Sequence, residues 1–370
     1  MSCSEDRREQ GEVKSGLRVV VTSAEKSGRE MAGAVGEQLL AVSPECSVRQ
    51  VDICGRDDAA IGFVESLEGF RYGRLDLGRA FRAIVEEEPD VAVFVGYPDF
   101  HLLLGPRLRR VGVRVYWVGP PQFWAWGRFR LSLLRRGADK VACLFCFELK
   151  PLQRAGIVAA YHGYPLYDSV RATEMRPNVL ARLGLEPEAR YIAFMPGSRE
   201  AEKRFHVPLY CRTFTRLRQA EPGLRGVMIC PQSGSLPEGM LAMADGRYDV
   251  LRHAEMAVIA SGTATAEAAL LGVPHVVTYH LSPVSRLLAR LLVRLGHFAL
   301  PNIIAGRLVV PEFLEPDEVT LARGCLAIVR SAAERERIRA GLGQVRRQLG
   351  PPGAAAAIAR DVLQMASGSP

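Results

Sequence analysis

The chain has 370 residues, 48% of them hydrophobic and 24% charged, with a formal net charge of +8 and a pI near 9.2. This composition excludes a disordered protein, and the length predicts two domains because single cores rarely exceed about 250–300 residues. No apolar run approaches the roughly 18 residues of a membrane-spanning helix. The basic charge comes without a zinc finger or an RNA-binding signature, which leaves phosphorylated small molecules or an anionic membrane surface as partners, not nucleic acid.

Short β-branched runs alternate with helix-like segments along the chain. The runs are continuously apolar, which is typical of parallel strands covered by helices on both faces. Such alternation predicts an α/β fold with two Rossmann-like domains facing each other across a cleft, where ligands bind at the carboxyl ends of the strands. The predicted strands are 17–22, 91–96, 113–119, 140–147, 191–197, 226–232, 256–262 and 273–280.

The stretch 165–190 contains three prolines and separates the two sets of strands, so we place the domain boundary there. Residues 1–16 are too polar for a secretory signal and are expected to form a disordered tail. Gly350-Pro351-Pro352-Gly353 interrupts a helical end, which could pack back on the first domain. The expected domains are 17–168 and 169–340, followed by a C-terminal helical segment over 341–370.

Most of the eight cysteines lie in apolar stretches, as reduced buried cysteines do, and we therefore expect a cytoplasmic protein. Cys143 and Cys146 form a C-x-x-C pair. No second Cys or His pair lies near them in the sequence to complete a metal site. We interpret both as small hydrophobic residues on a buried strand.

Two strand-to-helix turns in the second half of the chain suit a bound phosphate. In MPGSREAE (195–202), a strand leads into a helix start, where backbone N–H groups and the guanidinium of Arg199 favour a diphosphate. In ASGTATAEAALLGVP (260–274), a Ser-Gly-Thr turn does the same, and the Glu267 carboxylate follows one helical turn later to accept hydrogen bonds from ribose hydroxyls. Either turn alone is equally compatible with an ordinary connection. Together they predict a nucleotide-diphosphate site in the second domain.

Seven stretches, in family order, resemble those of the lipid A disaccharide synthase family, whose members are inverting glycosyltransferases of GT-B architecture. The resemblance implies transfer of 2,3-diacylglucosamine from UDP to 2,3-diacylglucosamine 1-phosphate (lipid X), with release of UDP, in lipid A biosynthesis. It also implies work at the inner face of the bacterial inner membrane. The stretches are AEKSG (24–28), GYPDF (96–100), PPQFWAW (120–126), HGYPLYD (162–168), MPGSREAE (195–202), ASGTATAEAAL (260–270), and LPNIIAGR with VVPEFL (300–307 and 309–314).

The resemblance also implies which residues form the site. The donor UDP-sugar would be bound by Gly197, Ser198, Arg199, Glu202, Gln232, Ser261, Gly262, Thr263, Ala264, Glu267 and Asn302. The cleft side of the first domain would contribute Glu25, Ser27 and Gly28. Trp124 and Trp126 follow Pro120-Pro121, which indicates a loop and favours a lipid pocket or the membrane interface for the two rings, with a place in the core as the alternative. The sequence has no D-x-D-type metal motif, so we expect no metal ion, and UDP-sugar is a substrate, not a cofactor. A homodimer is possible.

Departures from the family are concentrated in the first domain. The family reads G-x-D-x-P-D-F-N near the cleft, with the earlier aspartate as presumed base. Here the stretch from Gly96 to His101 is two residues shorter, which leaves Asp99 or His101 as candidates for the catalytic base, or no base. Arg199 would stabilise the departing UDP.

Arg29, Gly119, Gly127 and Tyr164 also replace usual family residues, whereas the donor motifs are nearly intact. One hypothesis is therefore an active disaccharide synthase. The alternatives are a catalytically weakened or non-catalytic paralogue that binds UDP-sugar, and a relative with a different lipid acceptor.

A basic, leucine-rich segment, SPVSRLLARLLVRLGHF, spans 282–298. Its arginines recur every fourth residue opposite a leucine face, which is typical of helices that lie on a membrane surface. A helix with core leucines and solvated arginines is the commoner structure, but an acylated substrate favours contact with an anionic membrane. The residues concerned are Arg286, Arg290, Arg294, Leu288, Leu291 and Leu292.

Overall fold

The computed structural model describes residues 16–24, 26–53, 77–124, 129–172, 179–186, 188–230, 235–280 and 296–368. These residues form two six-stranded sheets in which all pairings are parallel. Helices follow the strands and cover them, so the central strands are buried along most of their length. The predicted α/β class with two Rossmann-like halves is confirmed.

The first sheet has the order β2-β1-β3-β4-β5-β6. Its strands are β1 (Arg18–Ser23), β2 (Ser47–Asp52), β3 (Val91–Val95), β4 (Arg114–Val118), β5 (Lys140–Cys143) and β6 (Ala159–Tyr161). The helices of this half are α1 (Lys26–Val42), α2 with its described part at 77–85, α3 (Pro98–Arg110), α4 (Arg130–Gly137) and α5 (Cys146–Arg154).

The second sheet has the order β12-β11-β10-β7-β8-β9. Its strands are β7 (Tyr191–Met195), β8 (Arg225–Ile229), β9 (Met240–Met243), β10 (Met256–Ala260), β11 (His275–Tyr279) and β12 (Glu312–Leu314). The helices from the connection onwards are α6 (Tyr167–Ala172), α7 (Val179–Arg182), α8 (Glu200–Ala220), α9 (Arg247–His253), α10 (Thr263–Leu271), α11 (Leu300–Ala305), α12 (Glu318–Val329), α13 (Ala332–Gln348) and α14 (Ala354–Ser367).

The last two helices belong to different halves of the molecule. Helix α13 packs on α10, α11 and α12 of the second half, whereas α14 packs on α1 of the first half. The chain crosses back at 349–353, where Gly350 and Gly353 take left-handed backbone conformations that end one helix and begin the next. Of the helices in the described ranges, none has both the length and the apolar character needed to cross a bilayer.

The interpretation of the C-x-x-C pair is corrected. Cys143 ends β5 and is buried, but Cys146 is exposed in the first turn of α5. The strand stops early because the Glu148 side chain accepts hydrogen bonds from the backbone N–H groups of Leu144 and Phe145, which caps a helix start inside the predicted strand.

Candidate active site

The two predicted phosphate turns lie side by side. Strands β7 and β10 are neighbours at the centre of the second sheet, and Met195 lies opposite Ile259. Both strands run in the same direction, so the turns that follow them emerge at the same edge, about 4.8 Å apart. The structure therefore brings together the two turns that the sequence placed in one donor site.

The turn after β7 is closed by its own helix. The Glu202 carboxylate accepts hydrogen bonds from the backbone N–H groups of Ser198 (3.1 Å) and Arg199 (3.3 Å), and it forms an ion pair with the Arg199 guanidinium at 3.2 Å. Gly197 has a φ of +101°, and a Cβ there would lie 2.1 Å from a Glu202 oxygen, so only glycine fits. These amides face Glu202 instead of the open phosphate site that the sequence predicted.

The turn after β10 is the more open of the two. Helix α10 begins at Thr263 with small residues and without an acidic side chain in its first turn, so its positive end suits an anion. Gly262 is exposed, and Thr263 and Ala264 are partly exposed. The Ser261 hydroxyl donates to the Phe298 carbonyl at 3.2 Å, which ties this turn to the start of the segment that leads into α11.

Glu267 does not lie on the surface of the site as expected for a direct ribose contact. It is 2% exposed, and its carboxylate accepts a hydrogen bond from Arg247 Nε at 3.1 Å. Burial raises its pKa, and the charge of Arg247 opposes that shift. A carboxylate has about four acceptor positions, so this pairing leaves capacity for a ribose hydroxyl.

Asn302 is corrected from a donor contact to a structural residue. Its side chain is fully buried, and its amide oxygen accepts hydrogen bonds from the N–H groups of Val309 (2.7 Å) and Val310 (2.9 Å). The amide nitrogen donates to the Val310 carbonyl at 2.9 Å. Asn302 therefore fixes the turn between α11 and β12.

His101 is corrected as well, because it cannot reach a substrate. It is fully buried, its Nδ1 donates to the Gly96 carbonyl at 2.6 Å, and its Nε2 accepts from the Thr22 hydroxyl at 2.9 Å. The ring stacks on Phe94 at 4.2 Å. Burial lowers its pKa to about 3 despite the hydrogen bond to Gly96, so the imidazole is neutral and braces the turn after β3.

Asp99 stays the candidate base in the first domain. It lies in the first turn of α3, and its side chain is 38% exposed. Its carboxylate pairs with the buried Arg130 guanidinium at 2.7 Å, a partner that the sequence did not single out. The preceding Tyr97 has a φ of +45°, which is strained for a residue with a side chain and is a recurrent feature of functional turns.

Ser27 and Gly28 lie at the start of α1, beside the carboxyl end of β3. Ser27 is partly exposed and Gly28 is buried. A Cβ at Gly28 would lie 3.3 Å from the Val95 carbonyl, so glycine allows α1 to begin close to the strand. Both residues therefore lie at the carboxyl edge of the first sheet.

Trp124 is held by a residue that the sequence analysis missed. Its indole N–H donates to the Glu148 carboxylate at 2.9 Å, and its ring contacts Phe147 edge-on at 5.3 Å. Burial raises the pKa of Glu148 to about 7, against the hydrogen bonds from Trp124 and from the amides of Phe145 and Leu144. Glu148 was hidden because it directly follows a run, 140–147, that reads as a strand.

An ion pair joins the carboxyl edges of the two sheets. Arg247, which begins α9 after β9, donates from Nη1 to a Glu30 oxygen at 2.8 Å. Glu30 lies near the start of α1, after β1. The first-domain loops therefore face the donor-side turns across the domain junction.

Several predicted site residues lie outside the described residues. These predicted residues are Glu25, Trp126, Gln232, Arg286, Leu288, Arg290, Leu291, Leu292 and Arg294.

In the described ranges, no group of three or more His, Cys, Asp and Glu side chains is placed to hold a metal ion.

Two parallel sheets with facing carboxyl edges and paired strand-to-helix turns define a protein of the GT-B fold class. The fold agrees with that of S. aureus MnaA in a co-structure with UDP, at a TM-score of 0.66 and 12% identity over 94% of this chain and 96% of that one. It also agrees with Medicago truncatula UGT71G1 complexed with UDP-glucose, at a TM-score of 0.63 and 10% identity over 95% and 99% of the two chains.

The sequence narrows this class to one family. The family model described as lipid-A-disaccharide synthetase matches residues 16–338. The lipid-A-disaccharide synthase of Geobacter sulfurreducens is 32% identical over 94% of this chain and 97% of its own length. That of Syntrophotalea carbinolica is 32% identical over 96% and 97%. The chain belongs to the lipid-A-disaccharide synthetase family of glycosyltransferases.

Proposed function

We propose that this enzyme transfers 2,3-diacylglucosamine from UDP to lipid X and releases UDP. The observation that carries the proposal is the adjacency of the MPGSREAE and ASGTATAEAAL turns at the carboxyl edge of β7 and β10, within a family match over residues 16–338. This edge is where open α/β sheets bind nucleotides. The donor would lie across both turns, with its diphosphate at the start of α10 and beside Arg199.

The transfer is a displacement at the anomeric carbon of the donor. The acceptor hydroxyl oxygen forms the new glycosidic bond while the bond to the UDP oxygen breaks, and the hydroxyl proton passes to the Asp99 carboxylate. Arg199 and the amides at the start of α10 offset the charge that develops on the departing diphosphate. His101 supports Asp99 indirectly, because it braces the turn from which α3 starts.

The direct test is to incubate the purified chain with UDP-2,3-diacylglucosamine and lipid X in detergent and to measure UDP and the disaccharide phosphate. We expect both products in equal amounts, with or without EDTA, because no metal is expected to take part. Tight UDP binding without either product would favour the non-catalytic paralogue. Product formation only with another lipid acceptor would favour a relative with a different acceptor.

We propose that the enzyme works in the cytoplasm on the inner face of the inner membrane and contacts anionic lipid through the 282–298 segment. The alternation of arginine and leucine supports this, although 281–295 lie outside the described residues. The chain should sediment with phosphatidylglycerol vesicles but not with phosphatidylcholine vesicles. Replacing Arg286, Arg290 and Arg294 together by glutamate should abolish this sedimentation, and retention of binding would contradict it.

A further inference from the structure

A partly buried group of charged and phenolic side chains joins the two domains. It comprises Glu30 of α1, Tyr164 of the connection after β6, Arg247 and Tyr248 of α9, and Glu267 of α10. Tyr164 replaces the usual family histidine, and Glu267 belongs to a donor motif. The other three residues drew no attention in the sequence because no local pattern marks them.

Arg247 forms hydrogen bonds with both carboxylates of this group and with the Tyr248 hydroxyl. Its guanidinium donates to Glu267 from Nε at 3.1 Å and from Nη2 at 3.4 Å. It also donates to both oxygens of Glu30, at 2.8 Å from Nη1 and through a second, shorter bond from Nη2. The Tyr248 hydroxyl accepts from Nη2 at 2.6 Å. One cation is therefore shared by two carboxylates from different domains.

The position of Arg247 costs free energy unless the carboxylates compensate. It is the first residue of α9, where the positive end of the helix disfavours a cation. Burial alone would lower its pKa, but the hydrogen bonds to Glu30 and the charge of Glu267 offset this and raise it. The fixed fork of arginine suits such a bidentate site better than lysine does.

Glu267 depends on Arg247 in turn. Its side chain is 3% exposed, so its ionised form has little water to stabilise it. The groups that face it are Arg247 and Tyr248 from α9, Glu30 from α1 and Tyr164 from the connection. Of these, only the Arg247 guanidinium carries a positive charge, and Glu30 adds a repulsive negative charge.

We propose that Arg247 is a positioning residue that keeps Glu267 ionised and oriented toward the donor ribose, and that Glu30 ties this orientation to the first domain. The inference rests on the proposed function, since Glu267 serves the donor only if UDP-sugar binds beside it. The pairing across the junction makes donor binding and the relative arrangement of the two domains depend on one guanidinium.

The test is UDP binding by calorimetry and steady-state kinetics on the full chain. Replacing Arg247 by methionine should weaken UDP binding about 10- to 100-fold near neutral pH, the loss expected for a charged hydrogen-bonding system. Arg247→Lys keeps the charge and should lose less. Arg190→Gln is the control, because Arg190 forms a similar bidentate pair with Glu255 at the opposite edge of the same sheet. This variant should bind UDP with wild-type affinity.

A pH series separates positioning from a merely structural role. In Arg247→Met, Glu267 lacks its cation and binds its proton more tightly than in the wild type, so UDP affinity relative to wild type should be lowest at low pH and recover as the pH rises. Adding Glu267→Gln to Arg247→Met removes the titrating group and should abolish the recovery. Arg247→Lys should show the pH dependence of the wild type.

Glu30→Gln tests the part of the inference that concerns the contact between the two domains. This variant leaves the Arg247–Glu267 pair intact, so the KM for the donor should stay within about threefold of the wild-type value. The kcat should fall about tenfold or more, because the ion pair that joins the first domain to the donor-binding domain is lost. Unchanged UDP affinity and pH dependence in Arg247→Met, or unchanged kcat in Glu30→Gln, would overturn the inference. Wild-type protein that fails to bind UDP would instead defeat the proposed function.

Discussion

Arg199 is the cation of the proposed diphosphate site. It precedes α8, its side chain is 15% exposed, and Glu202 holds it at 3.2 Å. Arg199→Ala should lower the rate of UDP release about 10²- to 10³-fold, as expected when one group that stabilises transition-state charge is removed.

The matched control for this change is Arg204→Ala, one turn further along α8, where the side chain is exposed. This variant should retain wild-type turnover. If Arg199→Ala releases UDP at the rate of Arg204→Ala, then Arg199 has no part in the transfer.

Glu148 makes stability depend on pH. Burial raises its pKa from an ordinary 4.5 to about 7, so the folded chain binds this proton more tightly than the unfolded chain does. Its favourable contribution is therefore complete below about pH 4.5 and is lost as the pH rises through about 7, an effect of about 3 kcal/mol. In Glu148→Gln the side chain cannot titrate, so the free energy of unfolding of this variant should depend less on pH across this range than that of the wild type.

Denaturant unfolding at a series of pH values measures this difference. Glu255→Gln offers a comparison, since Glu255 is a partly buried carboxylate that is paired with Arg190. A Glu148→Gln variant whose stability follows the wild type across the whole pH range would contradict the raised pKa.

The sequence predicted which turns lie side by side but not the hydrogen-bond partners or the burial of individual side chains. The two donor turns converge as predicted, because motif order and strand–helix rhythm determine position in a parallel sheet. His101 and Asn302 were expected to face the ligand, yet each is buried and hydrogen-bonded within the protein, and Glu267 is buried against Arg247. Their partners are distant in sequence or on the backbone, and no single-sequence pattern reveals such hydrogen bonds.

At the level of elements, all eight predicted strands exist, and the four that were missed are the four sheet edges. Strands β2, β6, β9 and β12 each have a single neighbour. Strands β6, β9 and β12 have only three or four residues, and β2 (SVRQVD) carries polar side chains, so none of them forms a long continuous apolar run like those of the central strands. The sequence therefore predicted the centre of each sheet, where the donor turns lie, and not its full width.

Helices α3 and α4 pack closely enough that only glycine fits between them. A Cβ at Gly105 would lie 2.2 Å from the carbonyl oxygen of Gly137. Gly105→Ala should therefore push the helices apart and lower the free energy of unfolding by about 1–3 kcal/mol. Turnover should also fall, because α3 carries Asp99 and α4 begins at its partner Arg130.

Gly33→Ala is the control for helix propensity, since Gly33 lies in α1 and an alanine methyl group there would have no neighbouring atom within 4 Å. It should stabilise the protein by about 0.5–1 kcal/mol. Thermal unfolding and UDP release can be measured on both variants. A Gly105→Ala protein as stable as Gly33→Ala would show that the two helices can separate without cost.

At the scale of the whole molecule, the chain crosses back so that its last helix completes the first domain. Asp361 of α14 accepts hydrogen bonds from the Tyr116 hydroxyl (2.6 Å), Lys140 Nζ (2.6 Å) and His162 Nε2 (2.9 Å). Tyr116 and Lys140 come from neighbouring strands, and His162 follows β6. One carboxylate therefore fastens the C-terminal helix to three parts of the first domain.

Asp361→Asn should loosen this attachment and lower the free energy of unfolding by about 3–5 kcal/mol near neutral pH, because it leaves Lys140 with an uncompensated, largely buried charge. Burial alone would raise the pKa of Asp361, but the bonds from His162, Lys140 and Tyr116 lower it to about 2. The wild-type advantage should therefore be complete above about pH 4 and shrink as the pH falls toward 2.

Limited proteolysis locates the effect within the molecule. If Asp361 fastens α14, the Asp361→Asn variant should be cleaved near 349–353 faster than the wild type, before the rest of the chain is attacked. Glu336→Gln, at a 75% exposed position on α13, should be cleaved like the wild type. Equal cleavage of the Asp361 and Glu336 variants would mean that apolar packing of α14 on α1, not the Asp361 carboxylate, holds the crossover in place.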